Sequence, residues 1–387
     1  MESKIANVVR KIPLSGIRVM LQKAAEYDNC ISLGIGEPDF DTPKEICNQA
    51  LKDALNGATH YTQSQGDPEL VKEIQRYLNE RLSEDFSPQQ IVVTTGGVGG
   101  LTSFFRAVLE PGDEVLIPEP YFPPYRHHIE WVGGKVIEVR THFKDDFVPS
   151  PEDIEEAITP STKVLLLNSP HNPTGAVIPS AILDKIAKIA VERDLLVLSD
   201  EVYERLLFDG QIHESIRTRP GMNERTVVVH SFSKSFAMTG WRIGYAFGPE
   251  WVIGPMTKVV SSYTSCAPSV SQRAAVAALR LGSEIIDSMT EEFCARRDQV
   301  FEDLKQLPGV KVFKPAGTFY LFPDINKITG DSLKFALDLL EKQQVVVVPG
   351  DTFGPSGKGC VRIALTVNRE LLTEAMKRIR AFIKDIS

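Results

Sequence analysis

The chain has 387 residues, 42% of them hydrophobic and 24% charged, and a formal net charge of −8. That length suffices for two domains with a sizeable core, and the acidic balance argues against a nucleic-acid or anionic-membrane surface. No apolar run reaches the roughly 18 residues of a membrane span, and the first twenty residues lack the continuous apolar core of a secretory signal. Five scattered cysteines (Cys30, Cys47, Cys266, Cys294 and Cys360) form no CxxC pair. Disulfides and zinc are therefore not expected, and a cytoplasmic location is.

In chain order, the first informative stretch is GIGEPDFDTP, residues 34–43, too rich in turn residues for a helix interior. From about residue 45 to 285, strand-like and helix-like stretches alternate. Residues 91–95 read as a strand, followed by GGVGG and an apolar helix from Leu101 to Leu109. Short apolar strands are expected at 114–117, 135–139, 163–168, 195–199 and 226–229, with an amphipathic helix from Ile182 to Val191. This alternation predicts an α/β fold with a mostly parallel sheet covered on both faces, whose ligands bind beyond the carboxyl ends of the strands. The last hundred residues differ. Helical patterns near Met289–Leu304 and Leu333–Glu341 bracket strand-like GTFYLF, VVVVP and CVRIAL, which predicts a smaller α+β domain. The expected division is a large domain over 46–285 and a small one over 1–45 together with 286–387.

Polar groups gather at the predicted strand ends. Asn168 opens NSPHNPTG, Asp200 opens DEVY, Gly96 and Gly97 follow the first strand, and HSFSKSFAMTGWRIGY carries Lys234 and Arg242 just past another. Singly, each has a plain structural explanation: a turn, a helix cap, a solvated lysine. Jointly they supply an anion nest, an amide, a carboxylate, a phenol at Tyr203, an amine and a guanidinium. Ser231, Ser233 and Arg242 suit a multiply charged oxyanion, and a lysine beside such a site suggests a nucleotide or a phosphorylated aldehyde held as a Schiff base. GGVGGL departs from GxGxxG at Thr102, no GxxxxGK[ST] or HExxH occurs, and the SxxK at Ser231–Lys234 lacks the SDN and KTG elements of serine acyl-enzymes.

The chain resembles the fold-type I aminotransferases that use pyridoxal 5′-phosphate. The resemblance runs from ISLGIGEPDFDTP through Tyr61-Thr with GDPELVKEI, PGDEVLIPEPYFPPY, NSPHNPTG, SDEVY, SFSKSFAMTGWRIGY and PAGTFYLF to CVRIAL. Any one motif is moderately specific; their joint order is highly so. The resemblance implies a large domain with a mostly parallel seven-stranded sheet plus a smaller α+β domain. It implies that Lys234 binds the cofactor aldehyde and later shuttles a proton, its amine kept neutral with help from cations such as Arg242. Asp200 would pair with the pyridine nitrogen, Asn172 and Tyr203 with the ring oxygen, and Phe122 would stack on the ring. The phosphate would be held by Ser231, Ser233, Arg242 and the backbone N–H groups of Gly97 and Val98, and by Tyr61 from the partner subunit of a homodimer. Arg362 would clamp the substrate carboxylate, assisted by Gly36 and Asn172. The implied reaction is a ping-pong amino transfer from an L-amino acid to a 2-oxo acid, most often 2-oxoglutarate.

Substrate choice is less determined. One subgroup holds a distal carboxylate with a lysine where this chain has Val98, and Ile17, Tyr121 and Phe122 are expected to form an apolar wall. Aromatic or other apolar donors are therefore expected, with aspartate possible. Cysteine-sulfur β-elimination and cyclopropane ring closure run on the same scaffold and stay open. An aminotransferase-like regulator would need a DNA-binding domain before the family pattern, which begins about thirty residues from Met1.

Overall fold

The computed structural model describes residues 4–10, 12 and 16–386. The expectations placed on the first residues, including their share of the small domain, lie partly outside that range. Twelve strands are described: β1 (Ile31–Ser32), β2 (Ile91–Thr94), β3 (Glu114–Glu119), β4 (Lys135–Arg140), β5 (Thr162–Asn168), β6 (Leu196–Asp200), β7 (Thr226–Ser231), β8 (Gly244–Phe247), β9 (Tyr320–Leu321), β10 (Val345–Val346), β11 (Val348–Pro349) and β12 (Val361–Ala364).

Seven of them form one sheet in the order β2-β8-β7-β6-β5-β3-β4, parallel throughout except for β8. The fold is α/β, of the mostly parallel seven-stranded kind. The alternation read from sequence finds six of the seven strands. It misses β8, whose Gly-Tyr-Ala-Phe is too short and too small at its start to read as a strand. Valine, leucine and isoleucine fill the middle of the sheet because both of its faces are covered: Val164, Val197, Leu198, Val227 and Val228 are all at most 1% exposed.

Register then decides which strand ends meet. Asn168 lies beside Asp200, Asp200 beside Val229, and Gly244 beside both Ser231 and Thr94. The polar residues that end β5, β6 and β7 are thus placed at one edge of the sheet, together with the glycines that follow β2.

Two further small sheets pair β1 with β10 in parallel and order β11-β12-β9 antiparallel. VVVVP, read as one strand, is divided between them, because β10 pairs with β1 whereas β11 pairs with β12. Three long helices, Glu284–Lys305, Ser332–Gln343 and Arg369–Ile386, close over these sheets. Their apolar stripes, including Phe293, Val300, Leu339 and Phe382, pack on Val346 and Ile363 in one core. Burying each such side chain contributes about 1.5–3 kcal/mol. Among the described residues no helix is long and apolar enough to cross a membrane.

Candidate active site

The glycine run after β2 does not precede a helix; it is the first turn of one, Gly96–Val108. The expected start at Leu101 is therefore corrected. Its four glycines are poor helix formers, but close packing requires them. A Cβ on Gly97 would stand 3.1 Å from the Val202 side chain, and one on Gly100 3.2 Å from Val229. Gly96 has φ +70°, and a Cβ there would meet the Arg242 guanidinium at 2.6 Å. The helix N-terminus, with its unpaired N–H groups, is thereby brought beside a cation. That combination favours an anion.

Lys234 lies in the single helical turn Phe232–Ser235 that joins β7 to β8. Ser231 caps that turn, its hydroxyl accepting from the Ser233 N–H at 3.1 Å. The Lys234 amine donates to the Gly36 carbonyl at 2.5 Å. Burial is the main reason its pKa falls to about 8. Glu37 opposes that fall, and Arg362 and Arg242 add to it. The expectation that neighbouring cations lower this pKa holds only as a secondary effect. Arg242, at φ +51°, donates to the Thr239 carbonyl at 2.9 Å.

Asp200, at the end of β6, accepts from the Tyr125 hydroxyl at 2.6 Å and from the Val202 N–H at 3.3 Å. Burial lifts its carboxyl to about 6, against the pull of those two donors. The adjacent Glu201 points to the opposite side of the strand, into a buried polar knot. Ser199, Ser215 and His213 each hydrogen-bond its carboxylate at 2.7 Å. Burial alone would raise Glu201, but the imidazoles of His213 and His230 outweigh it and hold the carboxyl well below its ordinary range.

On the opposite wall Arg362 is 1% exposed. It donates to the Asn172 side-chain oxygen at 3.0 Å and to the Gly34 carbonyl at 2.8 Å. Its Nε has no hydrogen-bond partner, and among the described residues its electrostatic neighbours are the phenols of Tyr320 and Tyr203 rather than a carboxylate. Its guanidinium lies over the rings of Tyr320, at 4.4 Å, and Phe353, at 4.9 Å. A buried guanidinium held by neutral acceptors retains an unmet demand for an anion.

One cavity of about 330 Å³ is lined by Gly36, Gly97, Val98, Phe122, Asn172, Asp200, Tyr203, Ser231, Ser233, Lys234, Arg242 and Arg362. Every site residue expected from sequence is among them except Tyr61, which is 87% exposed on the surface. Ile17 also lines the cavity. Tyr121 does not: it is buried, and its hydroxyl is engaged by Glu138 at 2.7 Å and Arg126 at 3.0 Å, so the expectation of Tyr121 in the pocket wall is corrected. Asn168, singled out at a strand end, borders the cavity as well, whereas Tyr125, Tyr320 and Glu37, which also line it, were missed by sequence reasoning. Tyr125 had one available signal, its place three residues beyond Phe122 at the start of a helix. Tyr320, inside an apolar strand, had none.

Comparison with known proteins gives this arrangement its family. Residues 28–379 match the model of aminotransferase class I and II. The aspartate aminotransferase of Pyrococcus horikoshii is 40% identical over 379 residues, covering 97% of this chain and 96% of that one. The aromatic-amino-acid aminotransferase 2 of Thermococcus litoralis is 40% identical over 374 residues, 96% of each chain. The solved structure of Thermus thermophilus aspartate aminotransferase with maleate superposes with a TM-score of 0.93 at 38% identity, covering 97% of this chain and 99% of that one. The chain is thus an aminotransferase and belongs to the class I and II family, the pyridoxal-phosphate enzymes of fold type I.

Proposed function

We propose that this chain binds pyridoxal 5′-phosphate through Lys234 and moves an amino group from an L-amino acid to a 2-oxo acid, 2-oxoglutarate serving as acceptor, in a ping-pong cycle. The observation that carries the reading is the convergence on one cavity of an amine, a carboxyl and an anion cradle: Lys234, Asp200, and Arg242 with Ser231, Ser233 and the helix N-terminus at Gly97–Val98. The donor set fits such a group. The cradle suits a phosphate, the buried carboxyl suits a protonated ring nitrogen, and Phe122 offers a ring face. Bound there, the cofactor would supply an electron sink for charge developing at the substrate Cα.

The chain's own side chains would do the rest. Lys234, half neutral near pH 8, would accept the Cα proton and return it. A buried lysine is suited to this because it carries no charge to be desolvated when it acts as base. Asp200, ionised by its cationic partner, would hold that partner in place. Tyr203 and Asn172 would donate hydrogen bonds to the ring oxygen. Arg362, with Asn172 and Gly36 beside it, would clamp the substrate carboxylate and so fix the Cα–H bond relative to the amine. Tyr61, exposed on this protomer, would complete the phosphate cradle of a second copy in a homodimer. The strands and helices support a large domain over 46–285 and a small one over 1–45 with 286–387. Five free cysteines are consistent with a reducing cytoplasm.

For the donor we infer an aromatic or other apolar side chain. Ile17, Ile35, Val98 and Leu101 line the cavity, and its cations, Lys234, Arg242 and Arg362, already have work there. None is left among these lining residues for a distal carboxylate. Keto-acid formation across a panel of donors with 2-oxoglutarate tests this: phenylalanine should exceed aspartate, and equal or faster turnover of aspartate overturns it.

A further inference from the structure

Tyr320 is buried on β9, directly opposite Ala364 of β12. Its hydroxyl hydrogen-bonds that of Tyr203 at 3.1 Å. Its ring lies beneath the Arg362 guanidinium at 4.4 Å. It also bears on a third site element: a Cβ on Gly36 would fall 2.1 Å from the Tyr320 hydroxyl oxygen. Gly36 is the residue whose carbonyl accepts from Lys234. One side chain therefore touches the phenol on the cofactor side, the guanidinium on the substrate side, and the backbone between them.

We propose that Tyr320 is a positioning residue: its hydroxyl donates to Tyr203 and so directs the Tyr203 proton into the cavity, while its ring supports Arg362. Each hydroxyl has one proton, and two buried phenols that face each other can share only one of them. If Tyr203 donated to Tyr320, its single proton would be spent there, and Tyr203 could not give it to a ring oxygen in the cavity. With Tyr320 as donor both protons are used, and Tyr203 becomes the stronger donor, since hydrogen bonds in a chain polarise one another. The ring acts separately, through the attraction of a buried guanidinium to an aromatic face. Hydroxyl and ring should thus be separable by mutation.

This assignment rests on the cofactor reading above, and the experiment separates the two. Wild-type protein, Tyr203→Phe, Tyr320→Phe and Tyr320→Leu are loaded with pyridoxal 5′-phosphate. The pH midpoint of the bound cofactor's visible absorbance is then measured, together with the dissociation constant of the unreactive carboxylate 3-phenylpropanoate. Tyr203→Phe should raise the midpoint, because a ring oxygen without its donor holds more negative charge and keeps the neighbouring proton longer. Tyr320→Phe should move it the same way but less, by roughly half a unit, and leave carboxylate affinity within about twofold. Tyr320→Leu should in addition weaken the carboxylate by about tenfold. Gly36→Ala, which pushes on the same hydroxyl, should copy the Tyr320→Phe shift and add little in the Tyr320→Phe background.

An unmoved midpoint in a Tyr320→Phe protein that binds the cofactor overturns the hydroxyl's role. Equal carboxylate loss in the Phe and Leu variants overturns the ring's. No visible band in the wild-type protein removes the cofactor reading and this assignment with it.

Discussion

The two walls of the cavity are built in different ways. The wall that carries Asn168, Asp200, Ser231 and Lys234 is the edge of one mostly parallel sheet: strand register aligns the ends of β5, β6 and β7, and the helical turn that follows β7 carries Lys234. The wall that carries Arg362, Tyr320 and the Gly34–Gly36 segment comes from chain segments more than 280 residues apart, joined through strands of two to four residues. The first wall inherits its precision from a large sheet whose central strands are buried. The second depends on individual side-chain contacts. Changes on the first should therefore damage chemistry and leave the fold intact, whereas changes on the second should first affect substrate binding.

The largest effect should come from Lys234→Ala. Removing both the covalent anchor and the proton shuttle should cut keto-acid formation by at least about 10⁴-fold. Far-UV circular dichroism should stay unchanged, and borohydride should no longer fix the cofactor to this peptide. Trapping on another lysine would refute the assignment.

Arg362→Lys should come next. It leaves a point charge where a planar fork made two hydrogen bonds, and kcat/KM should fall by roughly 10²–10³-fold. Most of that fall should lie in KM. A loss confined to kcat would break the distinction between the walls.

Asp200→Asn tests the first wall by stability. The folded carboxyl titrates near 6, above its ordinary 3.8, because of burial. In the cofactor-free protein the fold therefore favours the protonated form. That advantage is complete below about pH 3.8 and is lost as pH rises through 6. Asp200→Asn should stabilise the cofactor-free protein at pH 8 relative to its effect at pH 4, by on the order of 2 kcal/mol, while abolishing most activity. Thermal melts at the two pH values check the sign.

Tyr125→Phe should give the smallest change. Its hydroxyl favours the ionised form of Asp200, so its loss should raise that pKa further. The acid limb of the activity profile should move to higher pH by roughly half a unit to one unit, with KM nearly constant.

Much of this protein was legible in its chain. Continuous Val/Leu/Ile runs identified the buried strands, because only a strand covered on both faces reads that way. The residues just past those runs had to be site residues, because a parallel sheet presents its carboxyl ends to one crevice. The glycine run was legible as an anion nest but not as a helix, because helix propensity is overridden where Val202 and Val229 press against the backbone. Tyr121 and Tyr125 could not be told apart: each is a tyrosine in PYFPPY, and one turn of chain sends the first to Glu138 and the second to Asp200.

By itself, then, the sequence determined six of the sheet's seven strands, its ligand-bearing edge and the identity of the groups at that edge, since these follow from continuous runs of local hydrophobicity and the polar residues that end them. Tertiary structure alone decided the partners of those groups: the phenol on Asp200, the ring under Arg362, the carbonyl that receives Lys234. Such pairings join segments far apart in the chain and are selected by packing and by the demand that every buried polar group find a partner, and neither leaves a mark in local sequence.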